Sequence, residues 1–236
     1  MGYAKRIDGR KFDEMRKIEA KVGVIKNADG SAMFKIGDTI AIASVFGPRE
    51  LFPTHLQNPE KGRLRCLYDM ASFSVTERKR PGPTRRSTEI SLVTEKALLP
   101  ALDLSNFPDA VVDVFIEIIQ ADSGTRCAGI CAASMALADA GLPMKDLVTS
   151  ISVGKVADKI LIDLNKEEED FEEGSTDIPV AIMPRLSEVT LLQLDGDIKK
   201  EELREALKLA EKGCKEIYEI QKKALKEKYK TLSGEK

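Results

Sequence analysis

Residues 111–143, VVDVFIEIIQADSGTRCAGICAASMALADAGLP, decide the fold class. Residues 111–119 are largely β-branched and alternate, with Val112, Val114, Ile116 and Ile118 on one face and Asp113, Phe115, Glu117 and Ile119 on the other. That pattern predicts a central strand. Residues 121–125 turn the chain, and residues 126–140 read as a helix of small side chains, stopped by Gly141-Leu142-Pro143. Cys127 and Cys131, four apart in this Ala-rich run, read as small core residues.

Working outward, residues 18–45 read as a β-meander: 18–25 alternate, 27–31 form a turn containing Asp29-Gly30, and 39–45 are a buried strand. Another strand is expected over 64–73. Arg80-Pro81-Gly82-Pro83 then breaks the chain, and Thr84 can cap a helix from Arg85 to about Leu102, with Ile90, Val93, Ala97, Leu98 and Ala101 as its apolar stripe. Beyond the small-residue helix, strands are expected over 147–153, 159–164, 179–183 and 188–194, with an acidic loop after the second. A long amphipathic helix over about 199–229 follows, its stripe running Leu203, Leu207, Ala210, Cys214, Ile217, Tyr218 and Leu225. Mixed strands with interspersed helices argue for an α/β or α+β fold. The segment 141–146 is the best boundary between halves 1–145 and 146–236.

With 236 residues, 42% hydrophobic and 32% charged, the chain reads as a globular protein with a sizeable core. It has no apolar run of membrane-spanning length and no signal-peptide core at its start, so a cytoplasmic location without membrane contact is expected. Four cysteines without a C-x-x-C pair and a single histidine, His55, argue against structural zinc and against a histidine-based triad.

The net charge of −2 conceals two segments of opposite sign. Residues 60–86 carry eight basic side chains against three acidic ones, and residues 163–177 carry eight acidic against one basic. Each alone is usually a solvated face. Brought together, they would serve a polyanion and a divalent metal.

Three segments have chemical potential. Ser123-Gly124-Thr125-Arg126 lies between strand and helix, where free N–H groups, the helix dipole, a hydroxyl and a guanidinium can converge on an anion; a simple helix cap is the plainer alternative. Arg85-Arg86 opens the other helix, although cations meet unfavourable dipole charge there, a penalty that a bound phosphodiester would offset. Asp170 and Asp177 lie in a loop entering a strand, where two carboxylates could bind a hard cation or pass a proton. There is no G-x-x-x-x-G-K-[ST] and no G-x-G-x-x-G, which counts against P-loop and dinucleotide sites.

Taken together, Arg6-Ile7-Asp8-Gly9-Arg10, Val45-Phe46-Gly47-Pro48, the stretch from Glu77 to Arg86 (ERKRPGPTRR), Gln120-Ala121-Asp122-Ser123-Gly124-Thr125-Arg126 and Asp177-Ile178-Pro179-Val180-Ala181 resemble the ribonuclease PH family, and among its members the catalytic exosome subunits of archaea. The resemblance implies a fold like the second domain of ribosomal protein S5 and processive 3′→5′ phosphorolysis of single-stranded RNA, reversible to tailing. By the same resemblance Gly124, Thr125 and Arg126 would hold inorganic phosphate, and Arg85 and Arg86 would grip the RNA backbone near its 3′ end, with Arg63 and Arg65 lining its path. Asp177 would sit at a Mg²⁺ or Mn²⁺ ion, and Asp170 would act there or as general acid. Family members place five residues between these aspartates and this chain places six, so Glu169 or Glu173 is an alternative to Asp170. The implied assembly is a hexameric ring, alternating with a paralogous subunit and capped by RNA-binding subunits with S1 or KH domains. A non-catalytic RNA-threading subunit and a homohexameric tRNA-trimming enzyme are the rival readings.

Overall fold

The computed structural model describes residues 3, 5–77, 79–171 and 174–233, of which 231–233 as backbone only. Arg78 of the basic segment, and Glu172 and Glu173 of the acidic one, lie outside the described residues. The chain opens with strands β1 (Ile18–Val22), β2 (Gly30–Ile36), β3 (Thr39–Glu50) and β4 (Arg63–Met70), followed by helix α1 (Arg85–Leu98), β5 (Ala110–Gln120) and α2 (Thr125–Asp139). Next come β6 (Thr149–Val156), β7 (Lys159–Ile162), the one-turn α3 (Lys166–Glu169), β8 (Ser175–Met183), β9 (Glu188–Leu192) and α4 (Lys200–Ser233).

The strands form two sheets, in the orders β1-β2-β3-β5-β4 and β7-β6-β8-β9. The expected meander is present, with β1 to β3 antiparallel and Gly37-Asp38 as the two-residue link between β2 and β3. Gly30 and Ser31, read from sequence as turn residues, already belong to β2. β5 lies inside the first sheet, antiparallel to β3 and parallel to β4, and α1 makes the crossover that a parallel pair requires.

Several boundaries differ from expectation for identifiable reasons. β4 ends at Met70 rather than Phe73: after Ala71 N–H bonds to Ile118 O, Ser74 N–H turns back to Ala71 O, and Phe73 is left exposed. α1 gives way to a 3₁₀ turn over Leu99–Ala101, where Pro100 supplies no N–H. β6 begins at Thr149 because side chains take the two preceding amides: Asp146 Oδ1 accepts from Leu147 N–H and Ser134 Oγ from Val148 N–H. The expected stripe of α4 omitted Gln221, which is buried and donates to Cys131 O and Val148 O, binding α4 to α2 and β6.

The small-residue helix explains how the halves join. α2 packs against β2, β3 and β5 of one sheet and β6 and β8 of the other, and of its residues only Arg126 and Ala138 are not fully buried. Ile130, Met135 and Leu137 are its bulky buried side chains, and the remaining buried positions are small or short, which lets backbone come close. At Gly129 an added Cβ would stand 3.1 Å from the Ile116 side chain, and at Gly30 it would stand 2.3 Å from two backbone atoms, Ala136 O of α2 and N of its C-cap residue Ala140. The hydrophobic cluster accordingly runs without a break from β2 and β3 through α2 to β6, β8 and α4.

The acidic segment is not the solvated loop its composition predicts. Glu168 is fully buried inside α3, where it accepts from Arg6 Nε (2.8 Å), Arg6 Nη2 (2.7 Å) and Tyr3 Oη (2.9 Å). Arg6 spends its remaining donors on the carbonyls of Ile162 and Asp163, each at 2.8 Å, and on Glu14 O. Asp163 takes Arg10 and Arg16. Burial of this kind requires pairing, because an unpaired internal charge is strongly destabilising.

Gly30→Ala tests the contact between β2 and α2. Backbone atoms cannot rotate away from the new methyl, so a loss of stability at or above the usual overpacking range of about 1–3 kcal/mol is expected, read as a lowered urea midpoint at unchanged slope.

Candidate active site

β5 runs into α2 through a turn in which Ser123 (φ 57°) and Gly124 (φ 63°) are both left-handed. The sharp reversal is held from two sides. Thr39 Oγ1 donates to Ser123 O (2.7 Å) and accepts from Asp122 N–H (2.9 Å), while Arg16 reaches both the carbonyl and the carboxylate of Asp122. Because Arg16 also pairs with Asp163 at 2.7 Å, it ties this turn to the acidic segment.

Gly124 occupies the N-cap position of α2, where no side chain caps the helix. The first turn of a helix has N–H groups without intrahelical partners, and the dipole makes that end positive. Two further donors gather there. Arg126 Nε is buried without a hydrogen-bond partner among the described residues. Ser123 Oγ is likewise buried without a bond of regular geometry, although it lies close enough to the Glu169 carboxylate to pull its pKa down. A buried guanidinium N–H without a partner, beside a helix N-terminus, forms a receptor for an anion.

The donors line a cleft of about 770 Å³ whose opposite wall is acidic, with Glu169, Asp170, Asp177 and Asp195 facing Arg86, Ser123, Thr125 and Arg126. A contiguous lobe of about 370 Å³ shares Arg86, Arg126, Glu169, Asp177 and Asp195 and adds Glu89 and Gln193. Asp177 lies within β8, two residues past its start, where the sequence suggested a loop. Its backbone pairs with Asp195 in both directions, at 2.8 and 2.9 Å, and Ser152 Oγ of β6 donates to its carboxylate. Burial pushes the Asp177 carboxyl above the usual carboxylate range, and Asp195 adds to the effect against the opposing pull of Ser152 and Arg126. Glu169 is also raised, first by burial and then by the charge of Asp177. Two raised carboxyls beside two arginines give a site able both to hold a proton and to neutralise an anion.

The cleft thus brings together Gly124, Thr125, Arg126, Arg86, Asp170 and Asp177, which are far apart in sequence. Asp170 closes α3 at the cleft edge, with its side chain 63% exposed and paired to Lys166 at 2.7 Å. Glu169, one of the two alternatives to it, is the carboxyl in the field of Asp177; Glu173, the other, lies outside the described residues. Among the described residues that line the cleft, Arg85, Arg63 and Arg65 do not occur. Arg85 is exposed at the first position of α1, and Arg63 and Arg65 lie on β4, where Arg65 grips Asp113 of β5 at 2.6 and 2.9 Å. That pairing follows from the parallel register of β4 with β5, which composition does not disclose.

Ser152, Asp195, Gln193 and Glu89 were not anticipated. Ser152 and Asp195 reach Asp177 through strand pairing, for which a single sequence carries no direct signal. His55 lies in an exposed turn away from the cleft, and burial pushes the Cys127 and Cys214 thiols up to about 12, so neither thiol is a nucleophile at neutral pH. Among the described residues no trio of His, Cys, Asp or Glu side chains is arranged to hold a metal ion by itself.

Comparison with known proteins identifies the family. Residues 14–143 match the model of the 3′ exoribonuclease family, domain 1, and residues 146–213 match that of domain 2. The exosome complex component Rrp41 of Pyrococcus furiosus is 57% identical over 231 residues, covering 98% of this chain and 92% of that protein. Its namesake in Methanopyrus kandleri is 52% identical over 224 residues, covering 95% and 93%. Among solved structures, rice Rrp46 superposes with a TM-score of 0.82 at 23% identity, over 93% of this chain and all of that one. A chain of the Archaeoglobus fulgidus exosome with RNA bound to the active site gives a TM-score of 0.77 at 27% identity, over 92% of each chain. With both domain patterns matched in order and more than half of its residues shared with full-length relatives, the chain belongs to the 3′ exoribonuclease family.

Proposed function

We propose that the chain is the catalytic subunit of an RNA-degrading exosome and shortens RNA from its 3′ end by phosphorolysis. The observation that carries this reading is the buried Arg126 Nε, without a partner among the described residues, at the uncapped start of α2, in the cleft that Asp177 also lines. An anion held there is positioned against a second anion, the terminal phosphodiester.

An oxygen of inorganic phosphate attacks the terminal phosphorus, the bond to the 3′ oxygen of the preceding nucleotide breaks, and a nucleoside diphosphate leaves. The 3′ oxygen takes up a proton. Attack of one anion on another needs repulsion neutralised and the nucleophile oriented, which the α2 N-terminus, Thr125, Arg126 and Arg86 are equipped to do. The raised, cleft-facing carboxyl of Glu169 is suited to give that proton, and Asp170, exposed at the cleft edge, would be available to a bound metal. Asp177, with Glu169 or Asp170, offers the oxygen donors that Mg²⁺ or Mn²⁺ prefers, and an ion of that class usually takes one or two carboxylates and completes its shell with water and substrate phosphates. When bound, it would supply further charge neutralisation. Arg86 would hold the RNA backbone beside the reacting bond, leaving Arg85, Arg63 and Arg65 for RNA farther out.

The same reading includes a hexameric ring with a paralogous subunit and S1 or KH cap subunits, in the cytoplasm. The exosome names of the relatives support the assembly in general. None of the described helices is long and apolar enough to cross a membrane.

The deciding experiment supplies 3′-labelled single-stranded RNA to the chain, alone and assembled with its paralogue, with and without phosphate. Nucleoside diphosphates should appear only with phosphate; monophosphates released in its absence would refute phosphorolysis. Arg126→Ala removes a charge-assisted contact of about 1.5–3 kcal/mol and should raise the KM for phosphate roughly 10- to 100-fold. Asp177→Asn should cut turnover by about 10²-fold or more while RNA binding stays within a few-fold. It should also stabilise the metal-free protein. A carboxyl raised in the folded state carries a penalty that is absent below its unfolded pKa and grows as pH rises through its folded pKa. In the presence of a chelator, the variant's unfolding midpoint should therefore exceed wild type at pH 7 and converge with it near pH 4.

A further inference from the structure

The lobe beside the anion site contains a glutamine with two charged partners. Gln193 lies just beyond β9, and its backbone N–H bonds to Pro179 O at 3.1 Å, which fixes it to the strand carrying Asp177. Its Oε1 accepts from Arg126 Nη1. Its Nε2 donates to Glu89 Oε1 of α1 at 3.3 Å. The same Glu89 oxygen stands 4.0 Å from Arg126 Nη2, at the outer limit of an ion pair. Amide orientation follows from the partners, since only this one gives the guanidinium an acceptor and the carboxylate a donor.

We propose, on the basis of the phosphorolytic reading above, that Gln193 is a positioning residue that orients Arg126 for inorganic phosphate and keeps Glu89 from neutralising it. A guanidinium this close to a carboxylate would ordinarily close into a bidentate pair. Such a pair would satisfy Arg126 with a full negative charge and set that charge beside the incoming anion. A neutral amide accepts from Nη1 without cancelling the positive charge, and its own N–H groups occupy the Glu89 oxygen. Nε, which has no partner among the described residues, stays available to the anion. Gln193 therefore sets affinity for phosphate and has no contact with the bond that breaks.

The test measures the rate of nucleoside diphosphate release against phosphate concentration at saturating RNA, for the full-length chain in whichever form is active. Gln193→Glu keeps the shape and adds a competing charge, so the KM for phosphate should rise tenfold or more while kcat and the KM for RNA stay within threefold. Gln193→Ala should raise the KM for phosphate as well, by releasing Glu89 onto Arg126, and adding Glu89→Gln should bring it back toward wild type. A purely structural role would instead lower kcat and the unfolding midpoint, with no rescue by Glu89→Gln. A second readout needs no turnover: the inorganic phosphate concentration giving half of the thermal stabilisation by phosphate should shift upward in Gln193→Glu. A KM for phosphate within twofold of wild type in Gln193→Glu, or no rescue in the double variant, overturns the proposal while leaving phosphorolysis intact. Wild-type RNA cleavage that is indifferent to phosphate overturns both.

Discussion

Everything in the molecule is arranged around a helix with no free side. Both sheets close on α2; that contact requires glycine at Gly30, leaves little room at Gly129, and is filled by small residues interspersed with Ile130, Met135 and Leu137. The consequence for chemistry lies at the N-terminal end of α2, where Arg126 reaches the cleft. Its N-terminus opens on the cleft, carries a glycine in the cap position and leaves its positive end without a side-chain cap. Donors presented by the best-packed helix of a fold move little when charge arrives, and that is the condition under which electrostatic stabilisation is most effective.

The charged side chains divide into two sets. Arg6, Arg10 and Arg16, from the segment before β1, take Glu168, Asp163 and Asp122 and hold α3 and the β5–α2 turn in place. Glu169, Asp177 and Asp195 are left facing Arg86 and Arg126 across the cleft. The paired set sacrifices solvation for position, since a buried ion pair contributes little net stability and is costly only when broken. The acidic segment is therefore half scaffold and half reactive surface, a distinction that charge density along the chain cannot express.

How much was legible follows from the range of the forces involved. The strand–turn–helix of β5 and α2, the meander and the Thr84 cap are local, and all were readable; Thr84 and Ser87 form the reciprocal cap expected of a helix start. The cleft residues Arg86, Gly124, Thr125, Arg126 and Asp177 were named from motifs that lie at element ends, where backbone geometry aims side chains predictably. The RNA-path role of Arg65 rests on the family resemblance alone, and nothing local reveals that Asp113 is its partner across a parallel register. The choice between Asp170 and Glu169 depends on the phase of a single helical turn, which Asn165 and the buried Glu168 set from opposite ends. Ser152, Asp195 and Gln193 enter the site only through pairing in the second sheet.

The shared helix also bears on how the chain acquires its structure. The two matched domains meet near residue 145, yet neither contains a complete interior: α2 belongs by sequence to the first and forms much of the floor of the second, and α4 returns from the second to cover β1 of the first. A polypeptide of residues 1–145 would present one flank of α2 to water, and one of residues 146–236 would lack the surface on which β6 and β8 rest. Each half thus covers apolar surface of the other, and the cleft is lined from both: Arg86 and residues 121–127 come from the first, Ser152, Asp177 and Asp195 from the second.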